Sequence, residues 1–140
     1  MEQNYGIACG PRMLKSYMEK VTAPRMEAIG ITPSLAPFLG VVMHNEGISL
    51  KGVSDALYID KAMATRNVTK LIDMGLVENT ASGHMYSLRL TEEGHRRSKQ
   101  VEKILFDEWD ALLSDLTSEE RVALDSIMKK VSERIKGVLQ

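Results

Sequence analysis

The segment Asp60–Ile72, DKAMATRNVTKLI, gathers the side chains of this 140-residue sequence that are best suited to meet a polyanion. Lys61, Arg66 and Lys70 supply cations, Thr65 and Thr69 supply hydroxyls, and Ala62 is small enough to approach a thymine methyl group. A guanidinium can pair bidentately with guanine or with phosphate, which makes Arg66 the leading base-reading residue. Lys61 and Lys70 act as point charges toward phosphate, adding affinity and salt dependence rather than sequence choice. On a helix, Arg66 and Lys70 stand one turn apart, a like-charge pair that costs about 0.2–0.5 kcal/mol in isolation. A bound polyanion would relieve that cost. A solvated surface helix can carry the same residues, so the flanking elements must decide.

Those elements read mostly as helix. Within the segment, Ala64, Val68, Leu71 and Ile72 fall on one apolar stripe, with Ala62, Arg66, Thr69 and Asp73 opposite and Thr65 and Lys70 at the flank. Asp60 is placed to cap the first turn. A short helix from Lys51 to about Tyr58, burying Val53, Ala56 and Leu57, precedes it, and two short helices joined tightly make a helix-turn-helix. Upstream, Met13/Leu14, Tyr17/Met18, Val21 and Met26 predict a helix from Pro11 to about Ala28. Thr32-Pro33 reads as a cap with proline at the first helical position, leading to a helix that ends near Asn45. Pro37 requires that this helix either start near it or have a distorted first turn. Gly47 then stops the helix, and Ile48–Leu50 reads as a brief extended piece.

Downstream, Gly75 is a helix stop, and Leu76–Asn79 and Met85–Leu90 are strand candidates around a Thr80-Ala81-Ser82-Gly83 turn. A helix-turn-helix followed at once by a hairpin is the winged form. Thr91 caps a helix to about Leu113 through Val101, Ile104/Leu105 and Trp109. Thr117 and Glu120 have capping-box spacing and open a last helix whose apolar face is Leu124, Ile127/Met128, Val131, Ile135 and Val138/Leu139. The fold class is therefore mainly α, with one small hairpin.

Composition sets the outer bounds. At 44% hydrophobic and 26% charged residues the chain suits a soluble globular protein, and its length suits a single domain over 1–140. No apolar run approaches the ~18 residues needed to span a bilayer, so no membrane partner is expected. The N-terminus lacks a signal-peptide pattern, and a single cysteine, Cys9, precludes an internal disulfide and fits a reducing cytoplasm. The net charge is −1, but residues 51–100 carry 8 basic and 6 acidic side chains against 6 and 9 in residues 101–140. The middle of the chain can thus present a basic surface. His44, His84 and His95 are far apart in sequence, and no metal-ligand spacing, phosphate loop or nucleophile elbow occurs. Neither a cofactor nor an enzymatic activity is expected.

Over about Gly30 to Ile135 the sequence resembles the MarR family of winged-helix transcriptional regulators. The resemblance rests on the ordered set ITPSLAPFLGVV, IDKAMATRNVTKLIDMGLVEN, LRLTEEG and LTSEERVAL. It implies a winged helix-turn-helix over residues 33–91, and a homodimer built from helices in residues 10–30 and 92–140. It also implies binding to double-stranded DNA at a pseudo-palindromic operator, often relieved by small phenolic ligands or by oxidation. The family's DNA-contacting Thr-Arg pair falls on Thr65-Arg66. Two departures stand out. The Asp-x-Arg element of family wings falls on Ser82-Gly83-His84, in a loop about three residues shorter, and Tyr58 occupies a position where glycine is common.

The remaining candidates are peripheral. Lys51, with the amides around Ser49–Lys51, can hold a phosphate at a helix N-terminus. Arg89 on the second strand can touch the backbone or minor groove, and His84 at the wing tip partly substitutes for the missing arginine. Arg96 and Arg97 read as decoration of the long helix. Arg12 and Tyr17 can bind a small aromatic effector beside Met43, one of nine methionines able to line an adaptable cavity. Cys9 reads as a bystander thiol rather than a redox switch. Together these readings point to a homodimeric repressor. The rival reading is a winged-helix dimer serving mainly as a protein-interaction module.

Overall fold

A computed structural model describes residues 2–139 of the chain, with side chains from Gly10 onward. Among these residues the helical and strand periodicities resolve into six helices and one hairpin: α1 (Glu2–Ala28), α2 (Ala36–His44), α3 (Leu50–Leu57), α4 (Lys61–Asp73), β1 (Val77–Asn79), β2 (Leu88–Leu90), α5 (Glu92–Leu112) and α6 (Ser118–Leu139). The chain divides into two compact units, Met1–Leu105 and Phe106–Gln140. The mainly helical class and the winged order follow the expectation from sequence.

Several boundaries differ. Helix α1 runs through Pro11 rather than starting there, and Pro24 also lies inside it, at the cost of one amide donor for each proline. Thr32 is not a helix cap: its carbonyl accepts from the Leu35 amide in a separate turn, and its hydroxyl bonds Ser34. Helix α2 starts at Ala36, so Pro37 falls in the first turn, where its missing N–H costs nothing. In α3, Leu50, Val53 and Ser54 are buried while Ala56 is exposed, because the short helix turns only its first half inward. The strands are three residues each, shorter than Met85–Leu90 suggested, since beyond the Thr80 amide donating to the Ser87 carbonyl the chain before Leu88 is held by Asn79 side-chain bonds.

The first unit has one core. Phe38, Leu39 and Val42 of α2, Val53 of α3, Ala64, Val68 and Leu71 of α4, and Leu76, Val77, Leu88 and Leu90 of the hairpin pack with Met26, Ile31, Val101 and Ile104. The strands pair antiparallel with Val77 opposite Leu90, Glu78 opposite Arg89 and Asn79 opposite Leu88. Ile48 adds a single bridge to Leu88, where Gly47 and Leu88 amides donate across at 2.8 and 2.9 Å. That bridge fixes the turn before α3 to the wing.

Helix α5 is tied to the same unit at both ends of its buried stretch. The Thr91 hydroxyl accepts from the Gly94 amide at 3.0 Å and donates to the Gly75 carbonyl at 2.6 Å, while the Thr91 amide donates to the Leu76 carbonyl. Arg97 is no decoration: it donates to the Ile29 carbonyl at the end of α1 and pairs with Glu93. The Arg96 guanidinium hydrogen-bonded to Glu93 holds that carboxyl below the usual carboxylate range. Two histidines reach acids across the α2–α5 contact, His44 to Glu102 at 3.4 Å and His95 to Glu46 at 3.2 Å.

In the second unit the capping box forms as the spacing predicts. The Thr117 amide donates to the Glu120 carboxylate at 3.0 Å, and the Glu120 amide donates to the Thr117 hydroxyl at 3.1 Å. Arg121 closes the turn before α6 by pairing with Asp110 and donating to the Leu113 carbonyl. No α6 residue described is buried, and the stripe through Ile127, Met128, Val131 and Ile135 is open to solvent.

Gly94 shows how tightly α5 meets the hairpin. A Cβ there would stand 1.9 Å from the Leu76 carbonyl oxygen, so neither the helix nor the strand could stay in place. Gly94→Ala should therefore cost about 3 kcal/mol or more, measured as a fall in unfolding free energy by chemical denaturation.

Candidate nucleic-acid interface

Helix α4 forms because Asp60 supplies its cap. The Asp60 carboxylate accepts from the Met63 amide at 2.7 Å, satisfying a first-turn donor that has no partner inside the helix. Ala64, Val68 and Leu71 are buried, and this fixes the rotation of the helix about its axis. Ala62, Arg66, Thr69 and Asp73 lie on the opposite side, all exposed. Lys61 and Lys70 are exposed as well, while Thr65 is half-buried at the flank.

Pairing separates these cations from Lys51, Arg96 and Arg97, whose charges are engaged within the chain. Among the described residues, the side chains of Lys61, Arg66 and Lys70 have no hydrogen-bonding or ion-pair partner. Lys51 differs: its ammonium sits 3.1 Å from the Asp55 carboxylate one turn along α3. The N-terminus of α3 is also already occupied, because the Ser49 hydroxyl accepts from the Gly52 amide at 3.0 Å. The structure thus leaves Lys51 and its helix end partly satisfied within the chain. Lys51–Asp55 was legible as an i,i+4 pair of opposite charge.

The two threonines also differ. The Thr65 hydroxyl donates to the Lys61 carbonyl at 2.8 Å, while Thr69 is exposed with its hydroxyl unpaired among the described residues. Asn67 makes a similar backward bond to the Met63 carbonyl. Such bonds satisfy a short polar side chain on the helix itself.

The wing is organised by a residue that sequence reasoning passed over. Asn79 closes the end of β1, its amide nitrogen donating to the Met85 carbonyl at 3.2 Å. Its carbonyl oxygen accepts from the amides of Ala81 at 3.1 Å and Ser87 at 2.9 Å. One side chain so replaces several ladder bonds across the loop. The signal available was an asparagine at a strand end, a residue type able to mimic backbone turns. His84 and Met85 are exposed at the tip, and Arg89 is exposed on β2 directly across from Glu78.

The residues considered for an effector fall in unlike surroundings. Arg12 and Tyr17 are exposed on α1, whereas Met43 is half-buried against the core of the unit. The side chain of Cys9 lies outside the described residues. Among the described residues no group of three His, Cys, Asp or Glu side chains can hold a metal ion, and no helix is long and apolar enough to cross a membrane.

Comparison with known proteins places this arrangement. The sequence model of the MarR family matches residues 29–84, from the end of α1 to the wing tip. The HTH-type transcriptional regulator BilQ of Clostridium symbiosum (strain WAL-14163) is 30% identical over 108 residues, covering 74% of each chain. The chain belongs to the MarR family of transcriptional regulators. Members of this family are DNA-binding regulators rather than enzymes. The crystal structure of a MarR transcriptional regulator from Methanosarcina mazei Go1 superposes with a TM-score of 0.87 at 26% identity, over 94% of this chain and 90% of that one. A putative MarR-family regulator from Listeria monocytogenes, solved in complex with a 26mer DNA, shares the fold with a TM-score of 0.81 at 20% identity. That match spans 93% of this chain and 89% of the other. The winged helix-turn-helix of this MarR chain, with long terminal helices, is the architecture of those structures.

The Asn79 brace makes the MarR wing locally fragile. Asn79→Ala should raise amide exchange of residues 80–87 by roughly tenfold or more, with α4 amides unchanged. Hydrogen exchange followed by NMR checks both halves of that expectation.

Proposed function

We propose that this regulator is a homodimeric, cytoplasmic repressor that reads a pseudo-palindromic operator with the exposed side of α4. Residues 33–91 form the DNA-binding region. Each subunit places Arg66 against base edges and uses Lys61 and Lys70 on flanking phosphates, with Ala62, Thr65 and Thr69 between them. Lys51, His84 and Arg89 add contacts at the margin of the footprint. The observation that carries this reading is the isolation of Lys61, Arg66 and Lys70. They stand exposed and unpaired among the described residues, on a helix whose other side is locked into the core. Charges left without partners in the free chain are available to replace counterions on DNA.

Homodimerisation, through residues 10–30 and 92–140, is supported by apolar surface that each unit leaves open. Met13 is 67% exposed on α1, and Ile127 and Val138 are 57% and 77% exposed on α6. A second chain covering such faces would set two α4 helices in successive major grooves, about 34–36 Å apart. A response to a small aromatic effector has the least support, since Arg12 and Tyr17 are solvated on α1 while Met43 is packed inward.

Selection of duplexes from a randomised pool by the purified protein, followed by gel shifts over a salt series, tests the reading. It predicts a two-fold-symmetric consensus and a steep salt slope. Arg66→Ala should weaken the selected duplex by roughly a hundredfold or more, because each half-site loses a bidentate contact. Lys61→Ala or Lys70→Ala should instead lower affinity for all duplexes alike and flatten the salt slope by about one per subunit. No enrichment of any duplex at low salt would overturn the assignment.

A further inference from the structure

Five described residues adopt a left-handed backbone. Four are glycines, Gly30, Gly47, Gly75 and Gly83, and the fifth is Tyr58, with φ of 55° and ψ of 44°. The geometry at Tyr58 is imposed by the way α3 ends. The Tyr58 amide donates to the Asp55 carbonyl and the Ile59 amide donates to the Ser54 carbonyl at 3.1 Å. This paired closure requires a left-handed residue after the last helical position, where glycine meets no steric penalty and a Cβ does. Ile59 packs against the core behind it, so the turn cannot relax without uncovering that contact.

Core packing does not explain a tyrosine here. The residue is 53% exposed, and its hydroxyl has no partner among the described residues. Backbone strain at an exposed, unpaired side chain is retained where the side chain has work outside the fold. Its position specifies that work. Tyr58 is three residues before Lys61, so its Cα lies within about 10 Å of the first residue of α4. Asp60 and Ile59, the only residues between, are both fixed, one by the cap and one by the core. The phenol is thus carried on a rigid turn beside the end of α4 that also bears Lys61 and Ala62.

We propose that Tyr58 is a DNA-backbone contact, its phenolic hydroxyl donating a hydrogen bond to a phosphate oxygen that flanks the bases read by α4. The contact deepens the DNA-binding function proposed above and rests on it. Its chemistry is that of a neutral donor. It contributes affinity and register but no counterion release, and so it leaves the salt slope unchanged. The left-handed turn fixes the backbone from which the ring projects, and the strain is the cost of that conformation.

The test uses the full-length protein and the duplex selected by the wild type from the randomised pool, with a scrambled duplex beside it. Tyr58→Gly removes both strain and ring. It should raise resistance to denaturant, with the unfolding equilibrium constant falling roughly fivefold or more, while DNA affinity drops. Tyr58→Phe keeps ring and strain and removes only the donor. It should leave stability unchanged and weaken the selected and scrambled duplexes by similar factors, roughly five- to fiftyfold for two subunits, at the same salt slope. The proposal is overturned if Tyr58→Phe binds both duplexes as the wild type does, or if Tyr58→Gly lowers stability. A wild type that selects no duplex would overturn the DNA-reading function itself and this contact with it. Normal selection with an unaffected Tyr58→Phe would overturn the contact alone.

Discussion

The junction of Gly75, Leu76, Thr91 and Gly94 is the constraint on which the rest of the first unit depends. One threonine hydroxyl accepts from the start of α5 and donates to the carbonyl that follows α4, and its amide holds the Leu76 carbonyl. Gly94 lets α5 come so close to Leu76 that no side chain fits between. The end of α4, the first strand, the second strand and the long helix therefore meet at one point with little tolerance. A shift of α5 must move the hairpin, and a shift of the hairpin must move the end of α4. For a protein whose outward helix has to be held at a set angle, this rigidity matters more than the total amount of apolar area buried.

Much of this was visible in the residues before any coordinates. The stripe Ala64, Val68, Leu71 declares which side of α4 is inward, and burial has no freedom to choose otherwise. Asp60, Thr91 and the Thr117/Glu120 pair declare helix starts, because a capping side chain acts within three residues of itself. What stayed hidden depends on contacts distant in sequence. Nothing near Gly94 says that a backbone carbonyl lies against it, and nothing near Arg97 says that it reaches the carbonyl of Ile29. The length of the second wing strand stayed hidden for a related reason. Alternation suggested a longer second strand, but Asn79 satisfies the Ala81 and Ser87 amides itself and the pairing stops there. The exposed cations and hydroxyls of α4 were legible as residue types; the pairing of Lys51 with Asp55 shows that local charge balance has to be read alongside them.

The charge pattern fits a protein that is near neutral overall and selective about where it is not. Arg96 and Arg97 of α5 are engaged with Glu93, and His44 and His95 face carboxylates. The cations of α4 are left alone. A chain of net charge −1 has weak attraction for nucleic acid at long range, so the affinity it reaches must come from contacts made at close quarters. For the proposed DNA contact, that places weight on side-chain geometry within α4 rather than on a broad positive field.

The Thr65 proton is committed to the Lys61 carbonyl, so the hydroxyl turns only lone pairs outward. In that state it can accept from an exocyclic amino group of adenine or cytosine, and it has nothing to offer a phosphate or a carbonyl edge. Thr69, one turn later and unengaged among the described residues, keeps its proton and can serve either as donor or as acceptor. Two residues of identical type thus differ in hydrogen-bond character: Thr65 can only accept, whereas Thr69 can do either. In the proposed DNA complex α4 would therefore carry a direction in its hydrogen-bond character, restricted to accepting at Thr65 and adaptable at Thr69.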